Sequence, residues 1–239
     1  MVKKTVLGLM VLTALLWSTR GAQARDLFTD MQVDVFALAG GATLVDSHYL
    51  EAAGRPYYAH YKLGQRYTFG VGVPWGKLVT IETAYTQGPS TWSVTNQDLN
   101  PRVAVLYPID VYRGSMGAVV RSPNTYFHIR PYADLGLEFD RFSPTAAALA
   151  TATNQGFTSV STATINHNDK FGMNAGFGLE RKLTKRLTFR IDLRDHVTTT
   201  PRYGLTTQST AGNAATFPVL RHTKANDVEY SAGIVFHLG

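Results

Sequence analysis

Arg190, Asp192 and Arg194 stand at every second position, plus, minus, plus, among the apolar residues Leu187, Phe189, Ile191 and Leu193. On one face of an extended segment, such charges could relay protons or ions. They could equally pair with charges from other segments and fill an interior. The same spacing puts Asp34, Glu82, Asp134, Glu138 and Glu229 on inward faces with Asp192, and Arg102 with the two arginines. A narrow interior, wide enough only for side chains, favours the ion-paired filling. Three bases cannot neutralise six acids, so some of these acids are expected at the rims or holding protons.

Other chemistry is thin. The seven histidines, His48, His60, His128, His167, His196, His222 and His237, show no metal spacing, and there is no cysteine to join them. Zinc, thiolate chemistry and disulfides are therefore not expected. Asp195-His196-Val197-Thr198 invites comparison with a hydrolase histidine, but no serine follows at a convincing distance, and a strand-end histidine reads as a polar rim residue. Gly70-Val71-Gly72 lacks the third glycine of a dinucleotide fingerprint and opens no helix. No catalytic residue, cofactor or metal is expected.

The elements that must hold these charges alternate with a period of two. Tyr67, Phe69, Val71, Val73 and Trp75 face one way, against Thr68, Gly70, Gly72 and Pro74. Phe171 to Leu179 repeats this against Gly172, Asn174, Gly176 and Gly178. A helix would place its apolar residues at three and four. The pattern predicts strands over Met31–Ala42, Tyr67–Trp75, Val79–Thr86, Val103–Tyr107, Ala133–Phe139, Phe171–Leu179, Leu187–Leu193 and Val228–Leu238. In the first of these Phe36 and Leu38 break the polar face; in the fourth, Arg102, Ala104 and Leu106 are read as inward. Trp75-Gly76-Lys77 and Lys182–Arg186 read as tight turns, while Thr43–Gln65, Gln87–Asp98, Ser143–Lys170 and Thr198–Asn226 read as long polar loops. Pro108–Thr125 is long for a turn; a small hairpin there would raise the strand count from eight to ten.

The first 24 residues read as an address. Lys3 and Lys4, an uncharged run from Thr5 to Trp17 and the exit Ala22-Gln23-Ala24 describe a cleaved secretory signal peptide, leaving residues 25–239 as one domain. Cleavage takes Lys3, Lys4 and Arg20 from 23 basic side chains and none of the 17 acidic ones, so the net charge falls from +6 to +3. That balance carries no nucleic-acid footprint.

A soluble lipocalin-like barrel also alternates, but it turns its large apolar residues inward. Here the face opposite the apolar one carries glycines and paired charges, which suits the inside of a narrow barrel in lipid, where an open sheet edge could not survive. Tyr67, Trp75, Tyr85 and Tyr107 fall at strand ends as an aromatic girdle. The eight steps from Tyr67 to Trp75 rise about 26 Å, or about 20 Å vertically at a tilt near 40°. Short turns on one rim and long loops on the other complete an all-β, eight-stranded, antiparallel up-and-down transmembrane barrel.

The mature chain resembles the OmpA/OmpX-type family of small bacterial outer-membrane β-barrels over essentially its whole length. The signal peptide, Arg130-Pro131-Tyr132-Ala133-Asp134-Leu135-Gly136-Leu137, the Gly-rich strand Phe171–Leu179 and the end Ser231–Leu238 carry the likeness. It implies an assembly signal at Ser231, Gly233, Phe236 and Leu238, with Leu238 and Gly239 where the family usually ends on an aromatic residue. It also implies a Gram-negative outer-membrane location, outer-membrane lipids and the barrel assembly machinery as partners, and a monomer. The cell-wall-binding domain of full-length OmpA is not expected after Gly239. The expected role is structural or surface-interacting rather than enzymatic. The alternatives are a small pore, a lipid-modifying enzyme and a soluble periplasmic barrel. The Ala/Thr/Ser-rich stretch Thr145–Thr164 reads as a surface loop.

Overall fold

The computed structural model describes residues 32–44, 48–52, 55–96, 104–148, 167–199, 219–220 and 224–238. The signal peptide, Arg102 and most of the 145–164 stretch lie outside them. The strands are β1 (Val33–Leu44), β2 (His48–Ala52), β3 (Arg55–Lys62), β4 (Gly64–Trp75), β5 (Val79–Asn96), β6 (Ala104–Arg121), β7 (Ile129–Pro144), β8 (Asn168–Lys182), β9 (Leu187–Thr199), β10 (Val219–Leu220) and β11 (Lys224–Leu238).

Eight of them close a ring. β1 pairs with β4, β4 with β5, β5 with β6, β6 with β7, β7 with β8, β8 with β9, β9 with β11, and β11 returns to β1, every pair antiparallel. The seam runs from Val33↔Leu238 to Leu44↔Asp227, so no edge of the cylinder is left unpaired there. β3 pairs with the upper part of β5, β2 with β3, and β10 with β2, which extends one wall above the ring.

Two expectations are corrected here. The ten-strand alternative fails, because Pro108–Thr125 is no hairpin: β6 runs unbroken to Arg121 and pairs with β5 and β7 along the way. Its alternation is masked by Gly114 and Ala118, which flank Met116 on the outward face with little bulk, and by Gly117 on the inward one. Several segments read as loops are also strand, namely β2, β3 and the far ends of β5 and β9. A ladder projecting into water is held by its backbone hydrogen bonds and needs no apolar face, so no period-two signal marks it.

The sides of the ring are inverted relative to a soluble barrel. Phe69 is 52% exposed and Phe177 62%, while the inward face of the same strands holds glycine, threonine and charge. Phe36 and Leu38 point inward after all, joining Ala84 and Val235 in a small apolar cluster. A Cβ added at Gly70, their neighbour across the β1–β4 pair, would lie 2.2 Å from Phe36 Cζ. At Gly178 it would lie 2.1 Å from the Tyr132 hydroxyl. These glycines are bare because a ring from the adjoining strand occupies the space.

Candidate functional site: the charged lumen

Nine carboxylates are buried among the described residues: Asp34, Glu82, Asp134, Glu138, Asp140, Glu180, Asp192, Asp227 and Glu229. Arg66, Arg113, Arg121 and Arg190 are buried with them, and Arg194 nearly so. They form three tiers along the axis.

At the end where the termini and short turns lie, Arg121 of β6 grips Glu180 of β8 through Nε at 2.7 Å and Nη2 at 3.0 Å, and its Nη1 donates to the Thr80 hydroxyl. Beside it, His237 Nδ1 meets Asp34 Oδ1 at 2.6 Å and its Nε2 meets Thr188 Oγ1 at 2.8 Å. The middle tier centres on Arg190, whose accessible surface is 0%. Arg190 donates from Nη1 to Glu82 at 2.7 Å and from Nε to the Tyr132 hydroxyl at 2.8 Å. Its guanidinium carbon lies 4.6 Å from the centre of the Tyr132 ring and 5.3 Å from that of Phe36, close enough for cation–π attraction. Arg194 then joins Asp192 at 3.2 Å and Asp134 at 3.4 Å.

The third tier, toward the long connections, is built around Arg113. It takes both oxygens of Asp140 (2.7 and 3.1 Å), Asp227 at 3.1 Å and Glu229 at 3.3 Å. His196 Nδ1 lies 2.6 Å from Glu138, and Asn174 donates to the same carboxylate oxygen at 3.1 Å. Between the second and third tiers is a void of about 20 Å3 lined by Glu82, Asp134, Asn174 and Arg194. That volume suits about one water molecule, and both Asp134 oxygens lack a hydrogen bond from protein there.

Of the residues singled out in the sequence, Glu82, Asp134, Glu138, Arg190, Asp192 and Arg194 all line this interior, with Asp34 and Glu229. Arg102 lies outside the described residues. Leu106, read as inward, is 41% exposed, so the two faces of β6 are the reverse of the expected ones. Inward positions on that strand are Ile109, Val111, Arg113, Val119 and Arg121. His196 is corrected too. Expected at a rim, it is buried between Glu138 and Glu229, and does not face outward as the hydrolase comparison requires. Sequence reading missed Arg66, Arg113, Arg121, Asp140, Glu180 and Asp227. Four of these extend a counted alternation to or just past its next inward position: Arg66 precedes Thr68, Asp140 follows Glu138, Glu180 follows Gly178, and Asp227 precedes Glu229.

The outer surface carries the other marked positions. Tyr67 and Tyr85 point outward at one border of the apolar band, their hydroxyls donating to Gln65 and Gln87. Trp75 stands at the opposite border, and the Tyr107 side chain lies outside the described ones. In the seam, Phe236 and Leu238 face outward opposite Val35 and Val33, Ser231 faces inward, and a Cβ at Gly233 would lie 2.0 Å from the Ala37 carbonyl oxygen.

No family model and no curated protein matches the chain. Solved structures do. The outer membrane protein OprG from Pseudomonas aeruginosa is similar with a TM-score of 0.53 at 13% identity, over 86% of this chain and 95% of that one. Neisserial surface protein A is similar with a TM-score of 0.52 at 13% identity, over 85% of this chain and 96% of that one. The fold is therefore that of the small eight-stranded antiparallel outer-membrane barrels.

Proposed function

We infer from this fold that the chain is an integral protein of a bacterial outer membrane, closed along its axis by its own side chains. Its role in this reading is structural or surface-interacting. The strands are a rigid frame, the long connections and the β2–β3 extension are its outward face, and chemistry is not its task. The observation that carries the reading is the middle tier, where Arg190 is wholly enclosed by Glu82, Asp192, Tyr132 and Phe36. Charges taken out of water must be paired to be tolerated, and paired charges filling an eight-stranded interior leave no open column of solvent. An enzyme reading would need His196 beside a nucleophile, and among the described residues its ring lies between two carboxylates.

The barrel assembly machinery and outer-membrane lipids are the partners in this proposal, with β11 supplying the recognised end. Reconstitution of the purified protein in planar bilayers tests the closed lumen. No stable single-channel steps are expected. Large, long-lived steps would overturn the closure and support the small-pore reading, and acyl release from lipid by pure protein would overturn the non-enzymatic one.

A further inference from the structure

Among the described residues, the exposed charges on the rim formed by the three short turns are all basic. Lys77 lies in the β4–β5 turn, Arg130 at the start of β7, Arg181 and Lys182 at the end of β8, and Lys185 and Arg186 in the turn after it. Among the described residues of this rim, the only acids, Asp34 and Glu180, are buried inside and committed to His237 and Arg121. Arg130 is held in place: Nε donates to the Ser122 carbonyl at 2.8 Å and Nη2 to the Lys77 carbonyl at 3.1 Å, tying two turns together. Those two bonds leave other donors of its five-donor fork for a further acceptor. Arg181 continues the outward, lipid-side face of β8 one step beyond Leu179.

Aromatic residues stand at the same level. Trp75 is 75% exposed and stands two residues before Lys77. Tyr126 and Ile129 close a two-residue turn by two hydrogen bonds of 2.8 Å, with Phe127 and His128 at φ of +51° and +65°. Such a turn favours Asn and Gly at its tip, yet here it carries a phenylalanine that is 95% exposed. A left-handed backbone at a non-glycine residue is strained. It holds an apolar ring outward beside a ring of cations.

We propose that this rim binds anionic phospholipid headgroups of the leaflet at the turn end, the phosphate meeting Lys77, Arg130 and the β8–β9 cations while Trp75 and Phe127 seat in the interface. This rests on the membrane location proposed above. A neutral headgroup would use the aromatics alone; the single sign of the fixed charge is what selects an anionic one.

Trp75 is the probe. The three tryptophans are Trp17, in the signal segment, Trp75 and Trp92, so Trp92→Phe leaves Trp75 alone in the processed chain. The processed protein is reconstituted in phosphatidylcholine vesicles containing a minor share of either brominated phosphatidylglycerol or brominated phosphatidylcholine. Trp75 quenching should report a preference for phosphatidylglycerol of about five-fold per cation within reach, and added salt should collapse it. Lys77→Gln alone should reduce the preference about five-fold, and adding Arg130→Gln should reduce it about five-fold again. Lys62→Gln, at the far end of the barrel, should leave it unchanged. Equal quenching by the two lipids, or a preference that the double variant leaves undiminished, overturns the headgroup site while leaving the membrane location standing. Quenching by neither lipid overturns the membrane location itself.

Discussion

Arg113→Met is the most informative single change, because the same barrel contains its own comparison. Arg113 and Asp140 are directly opposed in the β6–β7 register, and Arg141 and Asp169 are directly opposed in the β7–β8 register. Both pairs are two-pronged, at 2.7 and 3.1 Å for the first and 2.6 and 2.7 Å for the second. They differ in direction. The first faces the lumen with side-chain exposures of 2% and 0%, the second faces out with 23% and 34%. Breaking a buried pair strands a carboxylate and costs roughly 3–5 kcal/mol. Arg113 also serves Asp227 and Glu229, so the upper part of that range is expected. The exposed pair, screened by solvent, is worth about 0–1 kcal/mol. Urea unfolding in lipid vesicles, followed by tryptophan fluorescence, measures both. Removing Asp140 as well, with Asp140→Asn, should recover part of the Arg113→Met loss, since less charge is then stranded. Equal destabilisation by Arg113→Met and Arg141→Met would refute the inside–outside assignment of β6 and β7 and the reasoning about desolvation that depends on it.

Three further outcomes follow from the packing. Gly70→Ala drives a methyl against the Phe36 ring and should destabilise by about 1–3 kcal/mol; Phe36→Leu in the same chain should restore most of it, as read in the same unfolding titration. Ala175→Arg, near the middle of the outward face of β8, should cost about 2–4 kcal/mol in lipid, while arginine at Phe171, nearer the band's border, should cost about 0–1; equal costs would contradict a lipid band at that height. Phe236→Ala should lower the fraction of protein assembled in cells, and Leu238→Phe should raise it, scored by the heat-modifiable band on a semi-native gel.

The strands that cross the apolar band were legible in the sequence because one face of them must stay apolar without interruption. Phe171–Leu179 and Leu187–Leu193 alternate without interruption, and every outward position on them is exposed or partly exposed in the structure. Legibility ends where that rule stops acting. β6 has Gly114, Met116 and Ala118 on its outward face, too little bulk to announce a strand, so two of its inward arginines went unseen. The upper parts of β2, β3 and β5 stand clear of the band and are subject to no pattern beyond backbone pairing.

The lumen fails to read for a different reason. Its charges are visible one at a time, since Glu82, Asp134 and Arg190 each sit at an inward parity, but their partners come from strands far apart in the chain. Arg190 meets Glu82 across 108 residues and Arg113 meets Glu229 across 116. Parity assigns a side; only the stagger of the closed ring assigns a height, and height decides which arginine reaches which carboxylate. This also accounts for the expected shortage of bases. The shortage narrows once Arg66, Arg113 and Arg121 are counted, yet it does not vanish, because Asp140, Glu180 and Asp227 come in with them. Among the described residues, fixed charge inside the barrel is therefore net acidic, and the charge left exposed on the rim at the turn end is basic. A cylinder with that polarity holds its arginines tightly inside and presents its remaining cations to whatever lies beneath it, which is why the lumen and the rim call for separate experiments.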